Sequence, residues 1–523
     1  MRTPFPRRAR RAWMVSVVCL TAAGAAFARA QPAAPAAAPG STLIVNAVVV
    51  DGTGGARREA AVRLRGDRIV EVGALAPAAG DTMVDAQGLV LAPGFIDTHS
   101  HGDRGVLEHP DALGAVSQGI TTIVGGQDGG SPLPLADYFR KVEAARPAVN
   151  VAAYVGHGTL RDKVMGEDFR RHATPDELAR MRTLLTDELK AGALGLSTGL
   201  EYDPGIFSAP AEVVELAKLT AQAGGRYISH VRSEDRRFWE AIDEIVAIGR
   251  EAKIPVQVSH LKLAMRSLWG QADALVRKLD QARASGVNIT ADIYPYLYWQ
   301  SGLTVLFPER NFDHRPTAEF VLREVSRPED LLLGRYAAQP AYTGKTVAEI
   351  ARLRAEEPPD TLMALIRDAL AHEKKTGDGA MGVIGTSMSE PDVERLLQWP
   401  HANFCTDGEL SGRHPRGFGS YPRILGRYVR ERKVLALEEA IRKATSLAAE
   451  NVGIRDRGTI RAGAFADLVL FDPATVMDRA TTGEPQAVSV GIARVWVNGA
   501  SVYESGAVRG SRPGRVLRRE ARD

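Results

Sequence analysis

The chain has 523 residues, 45% hydrophobic and 25% charged, which is the composition of a soluble globular protein too long for one simple core. Six arginines and no acid lie in the first thirty residues, so the remainder sets 60 basic against 63 acidic residues, and nothing argues for nucleic acid or another polyanion as partner. Only Cys405 lies beyond that segment, which excludes intramolecular disulfides, and no later run of eighteen apolar residues offers a membrane span.

The chain opens on a secretory signal over residues 1–30. Arg7, Arg8, Arg10 and Arg11 form a basic start, Trp13 to Phe27 an apolar stretch, and Ala28-Arg29-Ala30 a cleavage site. Arg10-Arg11 also resembles a twin-arginine signal, so the expected location is periplasmic or secreted. Cys19 follows Val-Val rather than a small residue, which does not suit a lipid anchor. Residues 31–40 (QPAAPAAAPG) read as a Pro/Ala linker.

Residues 41–93 alternate short β-rich runs with Asp-Gly and Gly-Asp turns, as in STLIVNAVVVDGTGG and AAVRLRGDRIVEVG. A matching block closes the chain over 456–510, with RGTIRAGAFADLVLFDP and ARVWVNGASVYESG. Neither block is long enough for a good core, so both are expected to pair into one small β domain. Between them, residues 94–455 alternate strand and helix. GFIDTHSH, TTIVGG, VNVAAYVGHG, ALGLSTG, RYISHVR, PVQVSHLK, NITADIYP, MGVIGTS and NFCTDG are strand-like. PDELARMRTLLTDELKAG is helical, with apolar Leu178, Met181, Leu185 and Leu189 and with Thr174 as N-cap before Pro175. The pattern predicts an α/β fold with a parallel (β/α)8 TIM barrel; nine runs compete for eight places, so one is an addition. Residues 511–523 read as a frayed, Arg-rich tail.

Polar side chains gather where the predicted strands end, which in such a barrel is where chemistry sits. His99 and His101, at i and i+2, aim two imidazoles from one strand face and suit a metal ion. Asp128, His157, Glu201, His230, His260 and Asp407 close further strands. Five of the eleven histidines thus stand at strand ends, whereas His109, His172, His314 and His372 are scattered.

The motifs PGFIDTHSH, GITTIV, VGHGTLR, GALGLSTGLEYDPG, ISHVRSE, VSHLK, DIYPY, TDG, HPRGFGSYPRILGRYVRE and DRGTIRAGAFADLVLFDP occur in order. Across about residues 41–510 the chain resembles the amidohydrolase superfamily, and within it the D-aminoacylase (N-acyl-D-amino-acid deacylase) family. The resemblance implies a metal-dependent barrel flanked by a small β-sandwich built from both chain ends. It implies His99, His101, His230, His260 and Asp407 as ligands, with Asp407 also shuttling protons. Many D-aminoacylases carry a cysteine ligand in a G-N-C-G turn, where this chain has Gly126-Gln127-Asp128-Gly129. Glu201, closing the fourth strand, is the expected replacement as a bridging ligand, and Asp128 is the alternative. Asp128 also suits a plain turn before two glycines. The donor set fits one or two zinc ions, with manganese or cobalt as alternatives.

The implied reaction is hydrolysis of a linear amide in N-acyl-D-amino acids or in dipeptides with a C-terminal D-residue, by metal-activated water with Asp407 as base and then acid. Lys262, Tyr294, Ser301 and Arg416 map onto the partners of the leaving group's carboxylate, and Tyr202 onto the pocket wall. The partner is therefore a small molecule. Cyclic-amide hydrolysis of the hydantoinase or dihydroorotase type, or nucleobase deamination, is the alternative on the same scaffold. Cys405, two residues before Asp407, reads as packing.

Overall fold

The computed structural model describes residues 40–377, 379 and 381–520. The expected leader, and the expected linker up to residue 39, lie outside the described residues. Among the described residues no helix is long and apolar enough to cross a membrane.

The two chain ends do join. Ser41–Val49 pairs antiparallel with Arg58–Arg65 and parallel with Asp81–Asp85 and Val90–Pro93. Leu468–Phe471 then lies antiparallel beside Val90–Pro93, with Leu468 opposite Pro93 and Phe471 opposite Val90. The result is one nine-stranded sheet, extended by Ile492–Val497, Ala500–Glu504 and Ala507–Val508. Its strands form a single hydrogen-bonded set, and two separate facing sheets are not resolved in it. Ile44, Val62, Leu64, Ile69, Leu91, Leu468 and Trp496 form a shared apolar cluster, so each end of the chain covers surface that the other would leave in water.

Parallel strands with intervening helices make up the centre. Phe95–Asp97, Ile120–Gly125 and Asn150–Ala153 form one sheet. Val155–Gly156, Gly195–Gly199, Arg226–His230, Val256–Val258, Ile289–Ile293 and Ala402–Phe404 form a second. Only Tyr154 separates the two sheets along the chain, and its N–H donates to the Gly125 carbonyl at 3.0 Å. The arrangement is TIM-barrel-like, without a continuous eight-strand ladder. Pro175–Lys190 begins with a reciprocal capping box between Thr174 and Glu177, and buries Met181, Leu185 and Leu189.

The additional strand is MGVIGTS. Met381–Thr386 lies antiparallel between Tyr298–Ser301 and Leu331–Tyr336, off the parallel sheets. One of its glycines permits close packing there: a Cβ on Gly385 would meet the Trp299 ring at 2.4 Å, so the bare backbone makes room for the indole. Residues 511–520 are not frayed. Gly514 and Leu517 donate to the carbonyls of Pro147 and Val151, both at 2.8 Å. Arg512, Arg515 and Arg518 meet Asp111, Asp67 and Glu143, so the basic character that suggested a loose tail instead finds acids on the body of the protein.

Candidate metal centre

Two strand ends are stitched together where the histidines emerge. The Asp97 carboxylate accepts the Thr406 N–H at 2.8 Å and the Thr406 hydroxyl at 2.6 Å. The Asp407 N–H donates to the His99 carbonyl at 2.8 Å, and the His101 N–H to the Gly408 carbonyl at 2.9 Å. These bonds fix Asp407 beside both imidazoles. Its Oδ1 lies 3.4 Å from His99 Nε2 and 3.1 Å from His101 Nε2. Asp128 faces the same nitrogens from the other side, at 3.4 Å from His99 and 3.3 Å from His101.

Asp128 also reaches a second pair. Its Oδ1 is 3.5 Å from His260 Nε2, and that nitrogen is 3.0 Å from His230 Nδ1. Two groups capable of holding a cation therefore share one carboxylate: His99, His101, Asp128 and Asp407, and Asp128, His230 and His260. Asp128, His260 and Asp407 all have left-handed backbone, with φ of 53°, 36° and 50°, which is uncommon outside glycine and recurs at functional sites.

The donor set passes a simple test of fit. His99 is fully buried, yet neither of its ring nitrogens has a hydrogen-bond partner among the described residues, and Asp128 Oδ1 is equally unpartnered. Buried polar atoms are rarely left in this state. Donors at about 2.0–2.1 Å from a common tetrahedral ion stand about 3.3–3.4 Å apart. The four contacts around His99 and His101 span 3.1 to 3.4 Å. The residues suit a divalent metal better than they suit each other.

Glu201 stands in a third group that could hold a cation, with His230 and Glu234. Its Oε2 lies 2.9 Å from His230 Nε2, and its Oε1 accepts the Glu234 N–H at 3.1 Å. Both oxygens are thus engaged. A proton on His230 Nε2 leaves the Nδ1 lone pair facing Asp128 and His260, so Glu201 orients that imidazole. Glu234 Oε1 lies 3.2 Å from His260 Nδ1 and 2.5 Å from Lys262 Nζ, and that ammonium itself stands 2.7 Å from the same Nδ1. His157 takes no part, because its Nε2 faces Glu212 at 2.8 Å, where Arg161 also binds.

The charges are strongly interdependent. Burial works against a charged His99, but Asp128, Asp292 and Asp407 outweigh it and raise its pKa well above the ordinary value. Burial and Lys262 lower His260, while Glu234, Asp407 and Asp128 bring it up to about 9. Burial would raise Asp407, but Arg416, His260 and His99 hold it below the usual carboxylate range. Arg416 Nη1 lies 2.6 Å from Asp407 Oδ2.

The remaining expected residues line one cleft beside the cluster. Tyr202, Lys262, Tyr294, Ser301 and Arg416 all face it. Lys262 Nζ stands 5.9 Å, and the Arg416 guanidinium 5.0 Å, from the centre of the Tyr294 ring. Cys405 is fully buried and does not reach the cleft. Sequence reasoning missed Glu234 and Asp292. Asp292 accepts the His260 N–H and the Gln257 amide, both at 2.6 Å, and lies 3.6 Å from His99 Nδ1. An acid inside the otherwise apolar strand NITADIYP was the available signal, since a buried carboxylate needs partners.

Comparison with known proteins agrees with this geometry. The amidohydrolase family model matches residues 82–307 and 327–503. An N-acyl-D-glutamate deacylase of Alcaligenes xylosoxydans xylosoxydans is 39% identical over 90% of this chain and 95% of its own. A D-aminoacylase from the same organism is 35% identical over 92% and 98%. Among solved structures, an N-acyl-D-glutamate deacylase from Bordetella bronchiseptica, complexed with zinc and a phosphonate mimic of the tetrahedral intermediate, superposes with a TM-score of 0.81. It is 37% identical, and the match covers 92% of this chain and 100% of that one. The chain belongs to the amidohydrolase family, as a relative of its D-aminoacylases.

Proposed function

We propose that the protein hydrolyses the linear amide of N-acyl-D-amino acids, using a zinc centre in which Asp128 is the shared ligand. One observation carries this reading: a cluster of metal-type donors stands beside two cations, Lys262 and Arg416, that converge on the ring of Tyr294. A substrate with a free carboxylate next to its scissile amide matches that pairing, since each cation has one carboxylate beside it in the protein, Glu234 for Lys262 and Asp407 for Arg416, and donors left over for another. The names of the relatives support the D-configuration. The basic, apolar start of the chain supports export.

A bound divalent cation supplies polarisation of the amide carbonyl and a water whose pKa falls to about 7. His99, His101 and Asp407 would hold one such ion, and His230 and His260 a second, with Asp128 common to both. Asp407 accepts a proton from the attacking water and returns it to the leaving amine. Arg416 on Oδ2 keeps that carboxylate ionised and leaves Oδ1 turned to the cluster. Lys262, Arg416, Tyr294 and Ser301 hold the α-carboxylate, for which the Arg416 fork is well shaped. The buried Tyr294 hydroxyl has no partner among the described residues and is available to donate. Tyr202 forms the wall over His230, with ring centres 4.3 Å apart.

The test is chromatographic. Zinc-loaded protein is incubated with a panel of N-acetyl-D-amino acids, their L-enantiomers and a 5-substituted hydantoin. Release of free D-amino acid, with the hydantoin untouched, is the expected result. Faster opening of the hydantoin ring would reject the linear-amide reading.

A further inference from the structure

Two cavities meet at a waist beside the metal cluster. One, of about 50 Å³, is lined by Lys262 and Tyr294, and the other, of about 370 Å³, by His101 and Arg104. Gln300, Ser301, Asp407 and Arg416 line both, so two separate pieces of chain make the waist. Gln300 and Ser301 end the strand Tyr298–Ser301 of the added antiparallel sheet, whereas Asp407 and Arg416 follow the last parallel strand, Ala402–Phe404.

His414 joins the two pieces. It is 3% exposed, and each of its ring nitrogens faces one of them. Nε2 lies 3.0 Å from the Tyr298 carbonyl, which can only accept, so that nitrogen carries the proton. Nδ1 then accepts the Arg416 backbone N–H, also at 3.0 Å. Arg416 opens the helix Arg416–Arg423, where a first-turn N–H has no partner inside the helix, and the imidazole supplies one from two residues upstream. The rings of Tyr296 and Tyr298, centred 5.6 and 4.9 Å away, hold its plane. Burial and the Arg416 cation keep its pKa well below the ordinary value, so it stays neutral. With both nitrogens engaged, His414 has none left for a metal or a substrate.

The consequence falls on Arg416. Its Nη1 faces Asp407, and its Nε is buried without a hydrogen-bond partner among the described residues. That spare donor serves a carboxylate only if the backbone beneath it is fixed. We propose that His414 is a positioning residue, a clip that sets Arg416 through Nδ1 and the Tyr298–Ser301 strand through Nε2 around the substrate's carboxylate.

The inference rests on the deacylase reading of the site, so its test measures binding beside turnover. The two links can be cut singly: an asparagine oxygen reaches the place of Nδ1, and a glutamine amide the place of Nε2. The zinc-loaded parent, His414→Asn and His414→Gln are compared by calorimetry and hydrolysis. The compounds are N-acetyl-D-alanine and N-acetyl-D-alaninamide, which lacks the carboxylate.

The parent should bind the acid at least about tenfold more tightly than the amide. His414→Gln frees Arg416 and should lose about 100-fold in kcat/KM on the acid, from kcat as well as KM, because Arg416 also faces Asp407. His414→Asn frees the strand and should raise KM about tenfold while kcat falls less than about threefold. Binding of the amide should stay within about threefold of the parent in both, which general damage to the fold would not give. Equal losses for acid and amide, or one identical profile for the two variants, overturn the clip and leave the deacylase reading standing. An acid preference that both variants lose, without turnover by the parent, supports the clip and removes the deacylase reading. A parent that binds the acid no better than the amide overturns the clip and the carboxylate subsite together. Should the variants fail to fold, a neutron structure of the zinc-loaded parent decides. A proton on Nε2 alone, with both bonds made, upholds the clip, and a proton on Nδ1 overturns it.

Discussion

Replacing Asp128 by asparagine keeps the shape of the side chain and removes one negative charge from the middle of three imidazoles. Its oxygens stand 3.4, 3.3 and 3.5 Å from His99, His101 and His260. Removing one partner of a buried charged set costs about 3–5 kcal/mol. If that loss falls on the metal-loaded state, affinity drops by roughly two to three and a half orders of magnitude. The assay is metal per chain by elemental analysis after dialysis against a graded chelator, with kcat/KM in parallel. Glu201→Gln is the comparison. Because Glu201 orients His230 rather than joining the shared group, its loss should weaken loading by about 10–100-fold and leave stoichiometry intact at saturating metal. The reasoning is refuted if Glu201→Gln strips the metal while Asp128→Asn retains it.

Metal loading should depend on pH in a specific direction. His99, His101 and His260 are all raised above their ordinary value by the carboxylates around them, His260 to about 9, so the metal-free site holds protons more tightly than free imidazoles do and ligation must displace them. Apparent affinity should rise with pH up to about 9, and calorimetry in two buffers of different ionisation enthalpy should show protons released; zero release contradicts the reading. Arg416→Met removes the cation 2.6 Å from Asp407, so the acid limb of the kcat/KM profile should move to higher pH and activity fall by about 10²-fold or more. An unchanged acid limb would separate Arg416 from Asp407. Burial pushes the Lys443 amine down to about 7, although it donates to the carbonyls of Trp399 and Ala402. Between pH 7 and about 10 the unfolded chain then binds the proton that the folded chain lacks, so stability rises with pH by at most about 1.4 kcal/mol per unit. His260 acts in the opposite sense over the same range, so the readout is the difference between parent and Lys443→Met in denaturant titrations at pH 7.5 and 9, which should grow in the parent's favour as pH rises.

The imidazoles were readable because strand ends are few and ordered along the chain, although alternation within a strand is not what places them: the strand stops at Asp97, and His99 and His101 stand in the turn beyond it. Choosing between Asp128 and Glu201 was not. Both carboxylates stand among imidazoles, Asp128 beside His99, His101 and His260 and Glu201 beside His230, and spacing along the chain carries nothing about that difference in placement. The turn signal at Asp128-Gly129-Gly130 also looked like a competing explanation. In the structure the left-handed turn and the inward carboxylate occur at the same residue. Pairing of the two chain ends followed from their shared shortage of core. The addition over residues 298–386 hid one of its strands among the parallel ones, since a short apolar run carries no sign of the direction in which it pairs. Glu234 and Asp292 escaped notice because their work is to neutralise and aim other residues, which spacing does not reveal.

A donor set built from imidazole nitrogen and carboxylate oxygen offers an oxidant nothing to attack. With Asp128 in the turn where a thiolate ligand is the family pattern, peroxide has no sulfur to convert and a passing disulfide has no partner for exchange. Cys405, the one free thiol among the described residues, is fully buried, and burial holds it in the unreactive protonated form. The candidate donors thus offer sulfur chemistry no entry, and acidity, which protonates imidazole and carboxylate alike, is the variable expected to bear on their loading.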